Sequence, residues 1–209
     1  MHPGPRIRRL FGPYEGVATE AYRKLFINLD EFSSILRGWV SNSTRILEVG
    51  CGEGAFTERL VAAYPEAEIT AIDISPNLGR LFRGASTHVR FLRKTVEDVA
   101  REEAASFDLA VLCDVLHHVP PDLRGSLLSA IDEALAPGGS LAFKDWAPSF
   151  SPIHWLCVMS DRYLTGDVVQ FCSASSAKAL LQSVFGHNAI RREALVRPWK
   201  NNVAFLIRR

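Results

Sequence analysis

Two spacings of apolar residues alternate along this chain. Across residues 18–40 the positions Ala21, Tyr22, Leu25, Phe26, Leu29, Phe32, Ile35, Leu36 and Trp39 recur at intervals of three and four. That is the stripe of an amphipathic helix, or of two joined ones, and Ser41-Asn42-Ser43 ends it. Short, unbroken apolar runs then take over, and 45–50, 68–74, 88–92, 107–113 and 140–144 read as buried strands. Between them 55–64, 76–83, 96–105 and 121–135 read as helices, the last stopped by Pro137-Gly138-Gly139. Strands alternating with helices of about ten residues predict βαβ units and a parallel sheet covered on both faces. After Asp145 the pattern breaks. Residues 146–172 are irregular and aromatic-rich, 173–184 read as a helix, and 188–197 and 201–209 as two strands joined at Pro198-Trp199-Lys200.

Composition narrows the class. The 209 residues are 47% apolar, with 24 Lys+Arg against 23 Asp+Glu and a net charge of +1. A chain of this length and apolar content can bury a large core, and disorder is disfavoured. Near-neutral charge argues against a dedicated nucleic-acid binder, whose affinity comes largely from phosphate neutralisation. Cys51, Cys113, Cys157 and Cys172 are widely spread with no C-x-x-C, so neither a metal site nor a disulfide framework is expected. No apolar run approaches the ~20 residues of a membrane span. The basic start of the chain lacks the apolar stretch of a secretory signal. The expected location is cytoplasmic.

The chemistry concentrates where the first strand meets a glycine cluster: Ile46-Leu47-Glu48-Val49-Gly50-Cys51-Gly52-Glu53-Gly54-Ala55. Glycines there permit positive φ and a close approach of a ligand to the backbone. Asp73 ends the second strand about 20 residues on, where a carboxylate can accept from ribose hydroxyls. Together they predict a nucleoside-bearing ligand across the carboxyl ends of strands 1 and 2. Gly50-x-Gly52-x-x-Ala55 also satisfies a dinucleotide fingerprint. Glu48 discriminates: a carboxylate two residues before the first glycine repels a pyrophosphate and attracts a sulfonium or ammonium group. The alternative is that Glu48 only bonds neighbouring backbone.

Leu47-Glu48-Val49-Gly50-Cys51-Gly52-Glu53-Gly54 resembles the first signature of class I S-adenosylmethionine-dependent methyltransferases. Ala71-Ile72-Asp73-Ile74-Ser75 resembles the second. The run from Phe107 to Val119, with Leu116-His117-His118, resembles the strand-4 signature of the small-molecule branch. Leu135-Ala136-Pro137-Gly138-Gly139 resembles the turn before strand 5. The resemblance covers roughly 40–145. It implies a doubly wound α/β, Rossmann-like sheet of seven strands, mostly parallel with the last strand antiparallel, and S-adenosylmethionine as cofactor. It also implies that Gly50, Cys51 and Gly52 line the methionine part of the cofactor, with Glu48, Gly54 and Cys113 among the cofactor-binding residues. Asp73 would hold ribose, and Ile74 would pack on adenine. Thr95 stands where the family often has an Asp facing the adenine amino group. Its hydroxyl can accept a bond, and Val96 can supply a backbone N–H.

Methyl transfer from a sulfonium is an in-line displacement, so the protein chiefly aligns nucleophile and sulfur. A base is needed only where the nucleophile arrives protonated. The candidates are His117, Asp145 and His154, with no metal. Lys144, Asp145 and Trp146 are expected to point toward the site, with Asp145 acting as base or pairing with Lys144 or Arg162. His118 is expected to be structural. The aromatic residues of 146–172 suggest a ring-lined pocket for a small, largely apolar acceptor of the kind met in secondary metabolism, O-methylated first and C-methylated next. The expected organisation is one domain, monomeric or homodimeric: a helical cap over 1–40, a cofactor core over 41–145, a substrate lid over 146–172, and a closing helix and hairpin over 173–209. The competing readings are an RNA or protein methyltransferase, a nicotinamide-dependent oxidoreductase and a non-catalytic cofactor-binding module.

Overall fold

A computed structural model describes residues 28–84, 87–148, 155, 169–199 and 201–209. The first part of the helical stripe expected over 18–40, as far as residue 27, most of the aromatic stretch, His154 and Arg162 lie outside these residues.

Seven strands form one sheet: β1 (Arg45–Val49), β2 (Glu68–Ile72), β3 (Val89–Leu92), β4 (Phe107–Cys113), β5 (Leu135–Trp146), β6 (Ile190–Val196) and β7 (Asn202–Arg208). Their order is β3-β2-β1-β4-β5-β7-β6. β1 to β5 pair in parallel, and β7 runs antiparallel to both β5 and β6. This is the expected doubly wound sheet with its last strand reversed.

Each central strand feeds two cores by simple alternation. Leu47 and Val49 of β1, Leu112 of β4 and Phe143 of β5 join the core on the side of α3 (Val96–Glu102), α4 (Arg124–Ala134) and α5 (Ala174–Phe185). Ile46 of β1, Leu109 and Val111 of β4 and Ala142 of β5 join the core under α1 (Leu29–Trp39) and α2 (Ala55–Ala63). A strand covered on both faces has no polar side to show, which is why these strands read as continuous apolar runs.

Three sequence expectations are corrected. Residues 76–83 form turns rather than a helix. Their amides turn sideways: Gly79 N–H donates to Gly52 O at 2.9 Å and Leu81 N–H to Glu53 O at 2.9 Å. The segment therefore buttresses the glycine cluster instead of closing its own helical ladder. The third helix stops at Glu102, short of Ala105, which adopts φ 51°. Finally, β5 begins at Leu135, not Ser140. Leu135 pairs with Phe107 and Ser140 with Leu109, so Pro137-Gly138-Gly139 is a bulge within the strand.

Among the described residues no helix is long and apolar enough to cross a membrane, and no cluster of His, Cys, Asp or Glu could hold a metal ion.

Candidate functional site

The carboxyl ends of β1, β2, β4 and β5 meet along one edge, and the strand order reverses between β1 and β4. Open α/β sheets form their ligand crevice at such a switch point. β1 leads there into Gly50, Gly52 and Gly54, at φ 76°, 51° and 90°. Gly50 shows why the side chain must be absent. A Cβ there would lie 2.4 Å from Val115 Cγ2, on the loop that follows β4.

The amides of this turn face the protein. Gly50 and Cys51 N–H both donate to Ile72 O, at 2.8 and 3.0 Å, and Gly54 N–H donates to Cys51 O at 2.9 Å. Gly52 N–H donates to Asp73 Oδ2 at 2.8 Å, and Ser75 N–H to Asp73 Oδ1 at 2.7 Å. The Asp73 carboxylate is thus fixed beside the turn before any ligand arrives. Ile74, next to it, is 70% exposed, an apolar face left open at the place expected for adenine. Cys51 is buried, and burial together with Glu48 and Asp73 pushes its thiol far up.

Glu48 is 3% exposed. Its carboxyl accepts a 2.7 Å bond from the Thr57 hydroxyl in the first turn of α2, not from neighbouring backbone. Burial pushes its pKa up, the Thr57 bond pulls it partly back and Asp73 adds to the rise, to about 7. Thr57 escaped the sequence reading. Its signal is a hydroxyl on the buried stripe of α2, between Phe56 and Leu60.

Thr95 is the residue just before α3. It caps α3, accepting from Asp98 N–H at 3.2 Å and donating to Asp98 Oδ2 at 3.0 Å, a capping box. Val96 is buried behind it.

The two charges ending β5 separate because adjacent strand residues face opposite sides. Lys144 is fully buried, with Nζ 2.7 and 2.6 Å from Asp114 Oδ1 and Oδ2. Asp114 follows β4 at φ 56°, and Cys113 Sγ lies 3.4 Å from its Oδ2. Arg162 lies outside the described residues, and Asp145, on the other face, pairs with His117 rather than with Lys144. Its Oδ1 is 2.5 Å from His117 Nδ1, its Oδ2 accepts from His117 N–H at 3.1 Å, and Trp146 N–H donates to Oδ1 at 2.7 Å. Burial pushes Asp145 up, but His117 and these hydrogen bonds outweigh it and hold the carboxyl below the usual range. The His117 ring stacks on Phe171 with centroids 5.3 Å apart, and His118 lies beside it at 4.1 Å. Gln170 N–H donates to His117 O at 2.8 Å.

The structure therefore brings Glu48, the glycine turn and Asp73 together, and joins His117 to Asp145. The Asp114–Lys144 pair was not foreseen, because nothing in sequence spacing says which acid reaches a lysine two strands' length away.

Comparison with known proteins follows the same lines. Residues 47–141 match the family model described as a methyltransferase domain. A ubiquinone biosynthesis O-methyltransferase of Xanthomonas campestris pv. campestris is 38% identical over 101 residues, which cover 46% of this chain and 41% of that protein. The match thus spans less than half the length of that relative. Among solved structures, 1,6-didemethyltoxoflavin-N1-methyltransferase of Burkholderia thailandensis, with bound 1,6-didemethyltoxoflavin and S-adenosylhomocysteine, shares the fold. Its TM-score is 0.69 at 18% identity, over 100% of this chain and 90% of that one. Human N-acetylserotonin methyltransferase, in complex with SAM, aligns with a TM-score of 0.65 at 20% identity, over 90% of this chain and 54% of that one.

Proposed function

We propose that this chain, whose residues 47–141 belong to the methyltransferase-domain family and are of the class I S-adenosylmethionine-dependent kind, transfers a methyl group from S-adenosylmethionine to a hydroxyl of a small, largely apolar molecule, with S-adenosylhomocysteine as product. One observation carries the choice of cofactor. The turn after β1 is flanked by two carboxyls, Glu48 and Asp73, while the amides of Gly50, Cys51, Gly52 and Gly54 are spent on protein acceptors. A pyrophosphate needs those amides and avoids the acids. A cationic nucleoside suits the arrangement, with Asp73 toward ribose, Ile74 against adenine and Glu48 toward the positive end. The nicotinamide reading loses on the same ground.

The bound cofactor supplies an activated methyl group. The chain's own residues place it and take the acceptor's proton. Asp145 holds His117 through Nδ1, so the ring accepts a proton at Nε2. The carbon–oxygen bond forms as the carbon–sulfur bond breaks, the electron pair stays on sulfur, and the hydroxyl proton passes to His117. Oxygen as acceptor is supported by this histidine–carboxylate pair and by the name of the Xanthomonas relative. Lys144 and Asp114 neutralise each other at the same edge, which favours an uncharged acceptor. The free thiols Cys51, Cys113 and Cys172 suit a reducing, cytoplasmic setting.

Calorimetry tests the cofactor site. Asp73→Ala should weaken S-adenosylmethionine binding at least about tenfold, the scale of one charge-assisted hydrogen-bonded contact; unchanged affinity would reject the assignment. On the acceptor found by screening hydroxylated aromatics, His117→Gln should cut kcat by about 100-fold or more while leaving cofactor affinity intact. Undiminished kcat would remove His117 as the base.

A further inference from the structure

Arg124 stands where local helix physics does not favour it. It begins α4, no acid accompanies it in the first turn, and a cation at that end opposes the helix macrodipole. It is nonetheless 7% exposed, and a buried guanidinium is costly unless its donors are used. Two backbone carbonyls use them. Nε–H donates to Val119 O at 3.0 Å, and Nη2–H donates to Gln170 O, 46 residues along the chain. The planar fork of a guanidinium holds two acceptors in one fixed geometry. Arg124 thus ties the end of the loop after β4 to the stretch that leads into α5.

That tie closes on His117. Gln170, whose carbonyl Arg124 holds, donates its own N–H to His117 O at 2.8 Å. Phe171, the next residue, lays its ring on the His117 ring, with centroids 5.3 Å and planes 22° apart. On the other side Asp145 accepts from His117 N–H at 3.1 Å and reaches Nδ1. The carboxylate fixes one edge of the imidazole, and the phenyl ring fixes its plane. Cys172 follows. Its thiol is pushed up by burial, drawn down by Arg124 and raised again by Asp145, so both charges reach this stretch.

We propose that Arg124 is a positioning residue for the reaction. By holding Gln170 it keeps the Gln170 amide and the Phe171 ring against His117, and so holds the imidazole with Nδ1 on Asp145, the arrangement in which it serves as base. Arg124 acts through His117 and not on the acceptor. A catalytic side chain works only while its supporting contacts hold it to within a fraction of an ångström, and a misplacement of about 1 Å can cost about 100-fold in rate. The inference rests on His117 as the base, assigned above, and deepens that reading.

The first test reads the His117 ring in the whole chain and needs no acceptor. With isotope-labelled histidine, the Nδ1–H shared with Asp145 should give a downfield proton resonance, identified by its loss in His117→Gln. Arg124→Met keeps the apolar stem and removes the guanidinium; Arg124→Lys keeps the charge without the two-pronged reach. In both, the His117 Nδ1–H and the Gln170 amide should exchange with water at least about tenfold faster than in the wild type, while the amides of β1 and β4 keep their protection. Phe171→Leu should speed exchange at Nδ1–H and leave the Gln170 amide protected. Unchanged exchange at both groups in Arg124→Lys overturns the proposal, whether or not Arg124→Met folds. So does faster exchange spread evenly over the sheet, the mark of a merely stabilising residue, or a wild type that shows no such resonance. The second test is turnover on the hydroxylated aromatic from the screen above. Arg124→Lys should lower kcat about tenfold or more, leave S-adenosylmethionine affinity unchanged, and add nothing to the loss in His117→Gln. A fall in kcat for His117→Gln with none for Arg124→Lys overturns the proposal and leaves the base standing. Undiminished kcat in His117→Gln overturns the base assignment and, with it, the positioning role.

Discussion

At the scale of single residues, the site is defined as much by what is missing as by what is present. Gly50 carries φ 76° and has Val115 where a Cβ would be. Gly50→Ala should therefore cost about 1–2 kcal/mol for the left-handed backbone and a further ~1–3 kcal/mol for the overpacked contact. Shrinking the obstacle separates the two. In Gly50→Ala with Val115→Ala, chemical denaturation should show the penalties falling short of additivity by about 1 kcal/mol or more. Strict additivity would mean that Val115 is not what excludes the side chain. The glycine cluster was plain in the sequence, but the identity of its neighbour was not, because the two are brought together by a β4 that lies far along the chain. The same holds for Glu48. Its unusual place inside an apolar strand was legible, whereas its partner Thr57 becomes evident only once α2 is packed on the sheet.

At the scale of elements, the start of β1 is tied to β4 by one carboxylate. Asp108 accepts from Thr44 N–H at 2.8 Å, Thr44 Oγ1 at 2.7 Å and Arg45 N–H at 3.2 Å, and also from the Ser43 hydroxyl. These bonds set the entry of β1 next to the pairing of Ile46 with Leu109. Partial burial raises the Asp108 pKa, but the bonds from Ser43, Thr44 and Arg45 more than reverse that and leave it lowered. A carboxyl with a depressed folded pKa adds stability above its unfolded value of about 4, and that stability is lost as pH falls through the folded pKa. Asp108→Asn should thus lower Tm at pH 7 and flatten the drop in Tm on acidification. An acid limb as steep as that of the wild type would show that Asp108 does not drive it. Element boundaries were mostly legible, with strand β4 matching over its whole length. The misread segment, 76–83, spends the amides of Gly79 and Leu81 on the neighbouring glycine turn, a competition that local propensity does not register.

At the scale of the whole molecule, β7 is the strand on which the far half of the sheet depends. It lies between β5 and β6, reversed relative to both, and Ala204, Phe205 and Ile207 are fully buried. Removing residues 190–209 would strip β5 of its partner and both cores of part of their floor. The expected outcome is loss of cooperative unfolding, followed by circular dichroism on heating. A truncated chain that still melts in one sharp transition would show that the first five strands suffice. The same sheet edge also explains why four titratable groups at the ends of β4 and β5 coexist: Asp114 with Lys144 on one face, His117 with Asp145 on the other. Each acid has its own base, and the sheet keeps the pairs apart.

The sequence by itself determined the fold class, the strand–turn–helix unit with its glycine cluster, and the acids on either side of it. These are encoded locally, in period, glycine placement and short spacing. Tertiary structure alone decided the partners. Asp145 met His117 rather than Lys144 because successive residues of a strand face opposite sides. Thr95 turned to Asp98 because a helix start needs its cap. Among the described residues Glu48 has no cation beside it, because the buried lysine of that face is taken by Asp114. Pairing of buried charges depends on which strands lie side by side and which face each residue shows, and both are settled only when the sheet closes.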